Sequence, residues 1–194
     1  VFNEDSADVD FRVESNGFSH ALFVDGGNNR VGIGKIILPT STLEVSQDVS
    51  AGSGINNVLT LSAVDGGVNM SGGEGAGILF RIPDDETNPS VGAQIGALKE
   101  SADDSVSSTA LVFSTSQNDE TLDEAMRIDS IGAVTKPLNP CFAVYASANQ
   151  AIDNYSDNTI TWGGETFDIG SNFTGNTFTA PVAGKYQFNV KLKL

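Results

Sequence analysis

Basic residues, histidine, cysteine and helix-forming residues are all scarce in this chain of 194 residues. There are 10 Lys and Arg against 25 Asp and Glu, a net charge of −15. A surface that acidic excludes a phosphate-backbone ligand, because nucleic-acid binding needs a basic footprint. The single Cys, Cys141, cannot close a disulfide within one chain. The single His, His20, leaves no zinc cluster and one imidazole for acid–base work. No apolar run reaches the ~18 residues of a membrane helix, so membrane insertion is not expected. Leu, Lys, Glu, Arg and Gln are too few for a helical bundle.

What is abundant is Gly (21 residues), together with Ser, Thr and Asn. Hydrophobic residues reach 39% and charged residues only 18%, too apolar and too weakly charged for a disordered tail. Short apolar segments alternate with a period of two. They are Phe11–Glu14, Leu22–Val24, Arg30–Ile33, Leu43–Ser46, Val58–Leu61, Ile78–Ile82 and Ala110–Ser114. Gly/Asn/Asp turns or a Pro bound most of them, which are strand-and-turn signals. Leu122–Ile128 reads equally as a strand or a helical turn. The expectation is an all-β protein with helix below about one residue in ten.

Phe11–Gly17, Leu22–Gly27 and Met126–Gly132 share a degenerate pattern. An apolar pair brackets a variable residue, then an acid, a small residue and a Gly-containing turn. Units this short cannot bury an apolar face alone and need stacked neighbours or other copies of the chain. Gly72–Gly77 is a Gly-rich stretch suited to close backbone approach. Near Pro137 and Pro140 a boundary is expected, with the prolines favouring an extended connector. Beyond it lie all three Tyr and the only Trp. The chain thus divides into a β-rich shaft, 1–136, and an aromatic-rich part, 137–194. Val1 and the alternating run to Leu194 read as the ends of a segment cut from a longer protein.

Two resemblances organise these observations. Leu22–Gly34 with Val31-Gly32-Ile33-Gly34, followed by Leu43-Glu44-Val45, resembles the "VGIG…LEV" module of bacteriophage tail and virion fibres. Gly77–Phe80, Leu111–Thr115 and Ala125–Ser130 resemble the next module of such fibres. Phe178-Thr-Ala-Pro-Val-Ala-Gly184-Lys-Tyr186-Gln-Phe188 resembles the core of the complement-one-q globular head, a TNF-like jelly roll. Phe142–Tyr145 is similar to that family's first strand, and residues 137–194 correspond to part of such a head. The resemblances imply a homotrimeric β-structured fibre shaft with a partial jelly-roll head. They imply a place in the virion beside other virion proteins, and attachment to a host-surface glycan or protein. A bacterial extracellular adhesin and a tailspike-like polysaccharide depolymerase are the alternatives.

No catalytic residue is expected. Gly32-Ile-Gly34 lacks the third Gly and the helix of a dinucleotide loop. Ser19-His20 has no nucleophile elbow. The acidic run Asn3–Asp10 and Asp84-Asp85-Glu86 read as solvated, and Cys141 as a small buried hydrophobe. Tyr155 and Trp162 are the receptor-contact candidates, because loop aromatics suit recognition. Asp153 and Asp157 fall in a head loop and are the Ca²⁺ candidates, since heads of the resembled jelly-roll family sometimes hold Ca²⁺; otherwise no cofactor is expected. Tyr186, Phe188 and Val190 share one face of an expected strand and so can line a core. With Phe178 and Gly184, which is read as a turn residue able to take positive φ, Tyr186 and Phe188 are expected to be structural.

Overall fold

The computed structural model describes residues 9–16, 18–34, 39–47, 55–64, 70–83, 89–103, 105–117 and 121–192. The Asn3–Asp8 part of the acidic run and Asp84-Asp85-Glu86 lie outside the described residues. The described residues contain strands and no helix. Packing divides the chain into two compact units, Val1–Ser62 and Ala63–Leu194.

The first unit holds one sheet of β1 (Phe11–Ser15), β2 (Phe18–Asp25), β3 (Arg30–Gly34) and β4 (Leu43–Ser46), in that order. β1–β2 and β2–β3 are antiparallel, and β3–β4 is parallel. The two halves of the VGIG…LEV pattern are therefore neighbours, Val31 opposite Leu43 and Ile33 opposite Val45. A parallel pair needs a crossover rather than a tight turn. The crossover is tied down at its far end. Arg30 Nη1 donates to the Pro39 carbonyl at 2.8 Å, and Val31 N to the Thr42 carbonyl at 2.8 Å. Thr40 then donates from N and Oγ1 to Glu44 Oε2 at 2.8 and 3.0 Å.

The β2–β3 hairpin is closed by Asp25, whose side chain is only 6% exposed. Its Oδ1 accepts Asn28 N at 3.0 Å and its Oδ2 accepts Asn28 Nδ2 at 2.9 Å. Asn29 takes the left-handed conformation (φ 56°), which Asn tolerates better than most residues. The Asn28 hydrogen bonds, with help from Arg30, hold the Asp25 carboxyl below its ordinary range despite burial. A lowered folded pKa adds stability above the unfolded carboxylate range near 3.9. That stability disappears as pH falls through the folded value. Thermal melts of the parent and Asp25→Asn should therefore differ at neutral pH and converge below about pH 4. A gap that persists at low pH would contradict this account of the turn.

The second unit opens with a five-stranded antiparallel meander. Its strands are β5 (Gly75–Pro83), β6 (Pro89–Lys99), β7 (Thr109–Thr115), β8 (Asp123–Ile128) and β9 (Val134–Thr135). Of Leu122–Ile128, which reads equally as strand or helical turn, Asp123–Ile128 forms strand β8. Arg127 clamps it: Nη2 lies 2.7 Å from Glu124 Oε2, Nε 3.0 Å from Oε1, and Nη1 3.8 Å from Glu100 Oε1. The Gly-rich stretch leads into β5, where Gly75 lies against the Ala97 carbonyl of β6.

Two hairpins follow. One joins β10 (Cys141–Tyr145) and β11 (Gly164–Ile169), the other β12 (Phe173–Thr174) and β13 (Thr177–Phe178). The second turns on Gly175 (φ 56°) and Asn176 (φ 69°), two consecutive positive values that make a type I′ turn.

Three expectations are corrected. Val58–Leu61 forms no strand; Leu59 and Leu61 are 61% and 48% exposed, and the segment pairs with no strand. Lys136–Asn139 is a turn, closed by Asn139 N donating to the Lys136 carbonyl at 3.1 Å, not an extended connector. Residues 185–192 pair with no strand and bury no alternating face, Phe188 and Val190 being 58% and 66% exposed. Gly184 is not among the positive-φ glycines.

Candidate functional site

The sequence-derived candidates converge on residues 139–191. Phe142 on β10 is the centre of a ring cluster. It stacks on Phe173 at 4.7 Å and Phe178 at 5.1 Å between centroids, and meets Phe188 at 6.1 Å. Phe178 meets Tyr186 edge-on at 5.2 Å and Phe188 at 5.6 Å. Phe178, Tyr186 and Phe188 are thus brought together, with Phe188 58% exposed. Tyr186 is also fixed by its hydroxyl, which donates to the Val182 carbonyl at 2.7 Å. Gly184 borders the same cluster, with space for a Cβ 3.9 Å from the Tyr186 ring.

Backbone turns aim these rings. Asp168 accepts Asn172 N on Oδ1 at 3.0 Å and Phe173 N on Oδ2 at 2.9 Å. The carboxylate thereby folds the chain from β11 back toward β12 and delivers Phe173 to Phe142. Asn176 Oδ1 accepts Trp162 N at 3.0 Å, joining the type I′ turn to the end of the long loop. A groove of about 1010 Å³ runs between this scaffold and residues 182–191, with Trp162, Phe173 and Phe188 in its walls.

The loop between β10 and β11 is latched by two amide side chains that the sequence reading did not single out. Gln150 donates from Nε2 to the Thr161 carbonyl and accepts Thr161 N on Oε1 at 2.8 Å, copying a strand pair across the loop base. Asn158 Oδ1 accepts Asp153 N at 3.0 Å. Its Nδ2 donates to the Asp153 and Ser156 carbonyls, both at 2.8 Å. Asp153 Oδ1 in turn accepts Tyr155 N at 3.2 Å. Tyr155 stands at the tip, 97% exposed. Trp162 is half-buried in the groove wall. The two candidates occupy one loop but different surfaces.

Asp153 is engaged in the loop's own hydrogen bonds. Among the described residues, no three or more His, Cys, Asp and Glu side chains gather as a metal site would need. His20 lies 5.1 Å edge-on from Phe23, with Ser19 Oγ 2.9 Å from its Nδ1. No known protein family matches the chain, and no curated protein matches it.

Proposed function

We propose that the chain is a non-enzymatic segment of a homotrimeric phage virion fibre, in which the β10–β11 loop faces a host-surface glycan or protein. The observation that carries the reading is exposed surface. Among the described residues, apolar strand side chains stay exposed, Ile33 and Leu43 at 42% and 59% and Ile78 and Phe80 at 45% and 47%, where a folded sheet buries at least one apolar face. Only Phe23, Ala110 and Val112 are buried hydrophobic residues among those described. So few buried apolar side chains do not offset the entropy of ordering the described strands. Other copies of the chain supply the missing burial. The fibre-module resemblance, with its modules in order along residues 10–135, supports the same reading.

The setting of Tyr155 supports a recognition role. The loop backbone that carries this large amphipathic ring is held by Asn158 and Gln150, so little backbone entropy is lost when it binds. Glu124 suits a salt link rather than proton donation, because the Arg127 hydrogen bond holds its carboxyl below the ordinary range.

Sedimentation of the purified chain should give three times the 20.2 kDa mass; a stable folded monomer would overturn the proposal. Tyr155→Ala should weaken attachment to host cells about tenfold, equivalent to ~1.4 kcal/mol, while leaving the melting temperature unchanged. Undiminished attachment would remove Tyr155 from the recognition surface.

A further inference from the structure

The β5–β9 sheet has two unlike faces. Its register sets Ile78, Ile95, Phe113 and Met126 side by side across four strands. The neighbouring row on the same face is Ala76, Ala97, Leu111, Ile128 and Val134. Phe80, opposite Ala93, extends this face along β5. Both rows are wholly apolar. The other face carries the row Gly77, Gly96, Val112, Arg127 and Thr135. It holds the Arg127–Glu124 ion pair and buries Val112 to 7% exposure.

The chain leaves the apolar face open. Ile78 and Phe80 are 45% and 47% exposed, Ile95 and Leu111 39% and 40%, and Val134 57%. Together they present on the order of 500 Å² of contiguous apolar surface, near the upper limit for an ordinary monomer. That is also most of the apolar part of a standard stable interface, about 800 Å² per partner.

Charge decides the occupant. Each copy carries a net charge of −15, so most surfaces of two copies repel. The two rows contain no ionisable side chain; the carboxylate on this face, Asp123, stands in the next row with Phe80, Ala93 and Thr115, so copies that meet on the two rows oppose no like charges there. We propose that this face is where copies of the chain meet, each laying the Ile78–Met126 and Ala76–Val134 rows against the same face of its neighbours. The inference rests on the oligomeric reading above and gives the contact an address.

Ile95→Glu puts a carboxylate in the middle of the first row, and Gln94→Glu puts one on the opposite face. Sedimentation should show Ile95→Glu reduced to the monomer mass and Gln94→Glu still assembled. A second arm does not depend on destabilisation. In a Cys141→Ser background, Ile95→Cys should give covalent dimers with a short bis-maleimide, and Gln94→Cys should not. If the parent is a trimer but Ile95→Glu stays assembled and Ile95→Cys does not cross-link, the address is wrong while the trimer stands. Equal cross-linking at both positions likewise overturns the address. A parent that is a folded monomer overturns both proposals.

Discussion

Gly34→Val is expected to cost about 3–5 kcal/mol, at the severe end for a single substitution. Two effects combine at this position. Gly34 sits at φ 99°, where a side chain costs of order 1–3 kcal/mol in backbone strain. A Cβ there would also fall 1.9 Å from the Ser46 carbonyl oxygen. That oxygen is backbone of β4, the parallel partner of β3, with Gly34 opposite Ser46. It cannot swing aside as a flexible side chain can, so relief of the clash means opening the ladder. Gly73 is the control. It has φ 92° and open space at its Cβ position, so Gly73→Val carries the strain alone, of order 1–3 kcal/mol. The difference in thermal or denaturant stability between the two variants isolates the β3–β4 contact. Hydrogen exchange should show Val31 and Val45 losing protection in Gly34→Val only. Equal destabilisation by the two variants would mean that the parallel pairing contributes little.

That ladder shows what the sequence made legible. Arg30–Ile33 and Leu43–Ser46 were readable as strands from alternation alone. Their parallel pairing was not, because it depends on how the chain between them is pinned by Arg30 and Glu44. β6 escaped reading. Gly92, Ala93, Gly96 and Ala97 give it almost no hydrophobic contrast, and it becomes a strand through β5 and β7 on its two sides. Val58–Leu61 failed in the opposite way: the local pattern is strand-like, yet no ladder receives it. Within the site, Tyr155 was legible as a loop aromatic, whereas Phe178, Tyr186 and Phe188 meet without the strand that their spacing suggested. The latches were not legible. Gln150 acts across 11 residues and Asn158 across 5, and an amide in a loop carries no periodic signal.

Phe142→Ala should be the most damaging substitution in the aromatic part, at about 3 kcal/mol, the lower end for a buried Phe because the ring is half-buried. Phe142 is the ring through which β10 reaches Phe173, Phe178 and Phe188, and aromatic pairs add about 0.5–1.5 kcal/mol each beyond burial. Phe188 is different. It touches the same cluster but is 58% exposed, so in a lone chain Phe188→Ala should cost no more than about 1.5 kcal/mol. If a neighbouring copy covers residues 185–192, the cost of Phe188→Ala should rise toward 3–5 kcal/mol. Melts of both variants across a range of protein concentrations separate the cases. A concentration-dependent deficit for Phe188→Ala, beside a constant one for Phe142→Ala, assigns Phe142 to the core of the chain and Phe188 to a contact between chains. A Phe142→Ala variant that melts like the parent would show that the ring cluster does not hold this part of the fold together.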